Sequence, residues 1–237
     1  MAIRLEALLW AIGVGIFVWQ FVVPMIAKIP LSLEREWRDE YMEYAESHVE
    51  GEELGEAETP QRFKVGICIA AVLISLVLLQ LKGISESTAA IVFYAQGSLL
   101  LAAINWRTSL LPDKLVFPLL WAGLLFNAYH GNAVDQVYGA ALGFAVPWAI
   151  YWAFKLGTGK EMMGYGDMKT FGMAGAWLGV AAMPTVFISF FACFVLMYWL
   201  MKSIEFKLKD TFPSGYVPSG IAHLAASMVC IVGFRIV

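Results

Sequence analysis

Charge is scarce in this chain. Of its 237 residues, 15% are charged and 60% hydrophobic, whereas a soluble domain carries about a quarter charged residues. A soluble globular class is therefore excluded, and no nucleic-acid partner is expected. Cysteine is also sparse: Cys68, Cys193 and Cys230 lie scattered in apolar runs, and with no CxxC pair there is no zinc or redox motif to read. They are read as packing residues. His48, His130 and His223 are far apart and lack metal-ligand spacing, so no metal site is expected. No internal repeat and no low-complexity linker divides the chain, which predicts one membrane domain over 1–237. No small-residue cleavage site follows the first apolar run, Leu8–Ala27. That run is longer than a signal h-region, so it is expected to stay as a membrane span.

What is present is a series of apolar runs broken by short polar stretches. About eight transmembrane helices are predicted, in an all-α polytopic membrane protein embedded in a lipid bilayer. They are Leu8–Ala27, Val65–Leu81, Ala89–Ile104, Leu115–Tyr129, Val137–Phe154, Met168–Met183, Pro184–Met201 and Ser219–Phe234. The division between the sixth and seventh rests on Pro184, which has no amide hydrogen to give and favours a turn. Thirteen Lys and Arg fall in the breaks 28–64, 105–114, 155–169 and 202–218, and three on the other side. The positive-inside rule then puts those breaks in the cytoplasm and the N-terminus outside. Trp148, Trp152 and Trp199 are read as interfacial or packing residues.

The longest break, 28–64, is an acidic cytoplasmic loop with eleven acids and five bases. Its opening residues 31–38 could form a short interfacial helix around Trp37. Two readings of the loop stand side by side: a solvated surface, or an electrostatic attractor for a basic peptide.

Two shorter breaks carry candidate chemistry. Asp167 lies in Met163-Gly164-Tyr165-Gly166-Asp167-Met168-Lys169, just before an apolar run, where an aspartate can cap a helix. Capping does not call for glycines on both sides of Tyr165. They let another chain approach the backbone closely, and a carboxylate at a membrane boundary beside them marks a candidate functional site. In the other break, Pro112 and Asp113 precede Leu115–Tyr129 and read as helix initiation, with Asp113 as the cap. Asn105, at the end of the preceding run, reads on its own as an interfacial polar residue.

Together these stretches resemble the bacterial type IV prepilin peptidase family. The resemblance rests on Leu110-Leu111-Pro112-Asp113, on Leu119 to Asn127, on Lys155 to Glu161 running into Gly164-Tyr165-Gly166-Asp167, and on Gly175 to Gly179. It covers about 105–179 in the family's order. The family is one of GxGD aspartyl proteases of the bacterial inner membrane, which cleave the leader from type IV prepilins and type II secretion pseudopilins just after a glycine. Many members also N-methylate the new terminus with S-adenosylmethionine, while proteolysis needs no cofactor. The resemblance implies a catalytic role for Asp167 and a peptide-binding role for Gly164, Tyr165, Gly166, Pro112, Asp113 and Lys169. The second catalytic aspartate of the family falls at Asn105.

That departure predicts a scaffold that binds substrate and does not cleave it, because an amide cannot act as the base or share a proton. An engineered substrate trap and a natural pseudoenzyme both fit, and the otherwise intact motif favours the first. The acidic loop also lacks the four-cysteine zinc element of many members, which weakens the expectation of methyl transfer. The Pro/Gly-rich stretch Phe212–Gly220 stands where the family has a similar element, in different wording. Two other classes compete with the peptidase reading: a non-enzymatic prepilin-binding or assembly factor, and a small transporter suggested by glycine-rich, proline-broken spans.

Overall fold

The computed structural model describes residues 5–45, 59–160, 163–204 and 217–233, and no strand occurs among them. The helices are α1 (Leu5–Phe17), α2 (Val23–Ala45), α3 (Gln61–Lys82), α4 (Glu86–Thr108), α5 (Asp113–Tyr129), α6 (Ala133–Thr158), α7 (Tyr165–Leu178), α8 (Met183–Ile204) and α9 (Gly220–Gly233). The chain separates into two compact units, Met1–Leu76 and Val77–Val237. Five described stretches are long and apolar enough to cross a bilayer: Leu5–Leu33, Gln61–Lys82, Glu86–Thr108, Ala133–Thr158 and Val180–Lys202. The remaining helices α5, α7 and α9 are shorter, at 17, 14 and 14 residues.

In the first unit α1 passes into α2 through a π-helical turn, Val18–Val22. Pro24 follows that turn. A proline lacks the N–H for the intrahelical bond, and its ring crowds the carbonyl four residues back. Here that carbonyl belongs to Gln20, inside the wider π turn. The helix does not end at Ala27, the expected limit of the first span. It continues to Ala45 with Pro30 inside it, so 31–38 is part of one long helix rather than a separate short one. Residues 46–58 of the acidic loop, His48 among them, lie outside the described residues.

The second unit is built around α7, whose residues Met168 and Thr170 to Leu178 are all buried. A helix covered by other helices need not match the thickness of the bilayer, and α7 is two turns short of a full span. Its closest neighbour is α6. A Cβ added at Gly139 would sit 2.5 Å from the Gly175 carbonyl oxygen, and one at Gly143 the same distance from that of Phe171. The two backbones are thus in contact, as small residues allow between membrane helices. Against α5, Trp177 Nε1–H donates to the Leu119 carbonyl at 2.8 Å, and Asn127 Nδ2–H donates to the carbonyls of Gly123 and Ala176 at 2.9 and 3.2 Å. Trp177 also stacks on Tyr94 of α4, ring centroids 5.2 Å apart.

The turn after α7 falls earlier than Pro184. Gly179 takes φ +78°, and a 3-10 turn, Val180–Ala182, leads straight into α8. A proline in the first turn of a helix loses nothing by lacking an N–H, so Pro184 starts α8 rather than breaking the chain.

Candidate active site

One end of the second unit gathers the end of α4 and the starts of α5, α7 and α9. Helix α4 begins with the Ser85 hydroxyl accepting the Thr88 N–H at 3.1 Å. It ends where Ser109 turns left-handed, φ 63°, and donates its N–H to the Asn105 carbonyl at 2.9 Å. Asn105 therefore lies in the last turn, buried to 1% exposure. Its side-chain Oδ1 accepts the backbone N–H of Gly220, the first residue of α9, at 2.8 Å. No larger residue fits at Gly220: a Cβ there would lie 2.8 Å from Ala102 Cα and 2.9 Å from Asn105 Cβ.

Asp167 meets the same turn of α9. Gly164, in extended conformation, occupies the N-cap position of α7 and makes no side-chain bond. Asp167 is the third helical residue, with its N–H donating to the Gly164 carbonyl at 3.2 Å. It does not cap the helix. Its carboxylate reaches across to α9, where Oδ1 and His223 Nε2 are in hydrogen-bond contact at 3.1 Å. The two side chains are 14% and 5% exposed. Its Oδ2 lies toward the glycine turn, 3.8 Å from where a Cβ of Gly164 would stand. Asn105 and Asp167, 62 positions apart in the chain, thus each bind a residue in the first turn of one helix.

The peptide-binding candidates assemble around this pair unevenly. Lys169 Nζ donates to Asp113 Oδ2 at 2.5 Å, joining the starts of α7 and α5. Gly166 lies against Leu111, 3.0 Å from an added Cβ to the Leu111 Cβ. Pro112 holds the N-cap position of α5 in extended conformation, so Asp113 is the first helical residue and an ion-pair partner rather than the cap. Tyr165 is about half exposed, and its ring centroid lies 5.4 Å from that of Tyr151 on α6. Lys155 Nζ donates to the Tyr151 hydroxyl at 3.1 Å.

The motifs do not single out His223, and Gly220 enters only as the end of the Pro/Gly-rich stretch Phe212–Gly220. The signal for His223 was present, since an ionisable residue inside an apolar helix is rare without a function. Spacing between histidines, which only a metal site requires, does not reveal it. The ring is held by Phe171 and Phe190, centroids 4.5 and 4.4 Å away. Beside it is a small cavity of about 10 Å³ whose lining includes Ser98, Thr170 and Ser227 together with Leu101, Leu111 and Met173, room for about one water.

Comparison with known proteins decides the family. Residues 91–200 match the type IV leader peptidase family. A prepilin leader peptidase/N-methyltransferase of Aeromonas salmonicida is 32% identical over 218 residues, covering 73% of each chain. The chain belongs to this family. A protein of the same name from Escherichia coli is 48% identical over 101 residues, 42% of this chain and 45% of that one. Another from Klebsiella pneumoniae is 51% identical over 88 residues, 36% and 39% of the two chains. No solved structure matches the chain.

Within this leader peptidase fold, several residues that carry the likeness are packing residues. Gly175, Trp177, Gly123 and Asn127 hold α5, α6 and α7 together, while Asp167 and Asn105 are aimed at α9.

Proposed function

We propose that this chain is a leader peptidase scaffold of the bacterial inner membrane, with its site toward the cytoplasm and Asp167 as its remaining catalytic carboxylate. The observation that carries the reading is the convergence of Asn105 and Asp167 on the first turn of α9. Two-carboxylate proteolysis divides the work: one ionised group removes a proton from water, and one protonated group donates to the scissile carbonyl. Position 105 suits the second role. It is buried, and a neutral acid is the form that burial favours. In this chain it is an amide, which can donate a hydrogen bond but cannot transfer a proton. The chain as written holds the leader of a type IV prepilin or type II pseudopilin without cutting it. The peptide runs past Gly164-Tyr165-Gly166, with Pro112, Asp113 and Lys169 lining its path.

Its relatives' names include N-methyltransferase, and S-adenosylmethionine would be the methyl donor if that activity is retained. The cavity beside His223 is far too small to hold such a molecule.

A second reading, a non-enzymatic prepilin-binding factor, is favoured by the bond that already engages Asn105 with Gly220. The test is to mix the purified chain and its Asn105→Asp variant with candidate prepilins. Capture without cleavage by the first and a shortened product from the second support the peptidase scaffold. Capture by both, with no product from a folded Asn105→Asp protein, supports the binding factor.

A further inference from the structure

We infer that His223 is a positioning residue for Asp167: its imidazole engages Oδ1 so that Oδ2 is presented to the glycine turn where a peptide would lie. The inference deepens the peptidase reading and rests on it for its catalytic consequence.

The geometry is specific. Nε2 meets Oδ1 at 3.1 Å, and Oδ2 is the oxygen nearer Gly164. With Asp167 ionised, as its proposed role requires, the carboxylate only accepts, and the matching tautomer of His223 carries the hydrogen on Nε2 and donates. The rings of Phe171 and Phe190, themselves in contact at 4.7 Å, pack together against the imidazole with centroids 4.5 and 4.4 Å from it. The ring therefore has little freedom to follow Asp167 if that side chain turns. Among the described residues, the ionisable groups in hydrogen-bond contact with α9 side chains here are Asp167 from α7, at His223, and the Tyr94 phenol from α4, at Ser227 2.7 Å away in the middle of the helix. Helix α8 meets His223 with Phe190. Both members of the pair are largely removed from water, and a buried charge without a partner is costly. Asp167 thus has a reason to stay in this one orientation.

His223 lies three residues beyond Gly220, whose amide binds Asn105. One turn of α9 thereby sets the position of both members of the candidate dyad. A small shift of that turn would misplace both, and errors of about 1 Å at reacting atoms cost on the order of 10²-fold in rate.

The test has two arms. In the chain as it stands, the imidazole nitrogens are observed by NMR after ¹⁵N-histidine labelling, with His223 assigned by His223→Gln. The Nε2-protonated tautomer is expected, and Asp167→Ala should shift the His223 resonances while those of His48 and His130 stay. A His223 signal indifferent to Asp167→Ala overturns the pairing. In the Asn105→Asp protein, His223→Leu should lower kcat roughly 10²-fold with KM within about twofold. His223→Gln, which keeps an N–H donor at similar reach, should recover most of that loss. Equal losses in the Gln and Leu variants, or none in Leu, overturn positioning and leave an ordinary packed histidine. If the Asn105→Asp protein cuts no prepilin, the peptidase reading fails, and the spectra alone decide the pairing.

Discussion

The Asn105 side-chain oxygen accepts the Gly220 N–H at 2.8 Å, and an aspartate there can keep the same acceptor. Asn105→Asp should therefore fold, whereas Gly220→Ala should not pack, because its methyl would strike both Ala102 and Asn105. Neighbouring polar contacts carry less weight. Lys169 and Asp113 form an ion pair whose side chains are 27% and 49% exposed, and such pairs contribute less than about 1 kcal/mol. Asp113→Ala should leave thermal unfolding in detergent nearly unchanged, and a large loss would show the pair to be structural. Trp177→Phe, which removes a buried bond to Leu119, should cost about 1 kcal/mol or somewhat more. At this scale the motifs announced Asp167, while His223 stayed hidden: its partner is 56 residues away and only the fold joins them.

Among the helices, the contact between α6 and α7 is the least forgiving. Gly139 and Gly175 face each other backbone to backbone, and a methyl on either meets a carbonyl it cannot displace. Gly175→Ala should lower stability by roughly 1–3 kcal/mol, the usual range for overpacking. Gly66→Ala on α3, where a methyl meets nothing within 4 Å, should not, and equal melting temperatures for the two variants would refute the close approach. The positions of the helices were legible because apolar runs separated by Pro, Gly and charge are strong signals in a membrane protein. Their ends were less so. The α1–α2 helix runs past Lys28 because hydropathy marks where the apolar surface stops and not where the helix does. The sequence points to Pro184 for the turn before α8, but a glycine at positive φ is the stronger device, and Gly179 supplies it.

For the whole chain, the proposed peptide-holding site lies where α4, α5, α7 and α9 meet, on the side predicted to be cytoplasmic. The acids between Glu34 and Glu58 share that predicted side and would attract the basic leader of a prepilin. Replacing several of them by Gln should weaken prepilin capture at low salt, with the loss shrinking as salt rises. Unchanged capture at low salt would reduce this segment to solvated surface. The measurement that bears most directly on the central claim is mass spectrometry of a prepilin incubated with three proteins: the chain itself, Asn105→Asp, and Asn105→Asp with Asp167→Asn. The account predicts an intact prepilin with the first, a product shortened by its leader with the second, and an intact prepilin again with the third, since losing an acid–base partner costs about 10²–10⁴ in rate. Robust cleavage by the unaltered Asn105 chain would contradict it, and would move the missing acid to another carboxylate, with Asp113 the next candidate.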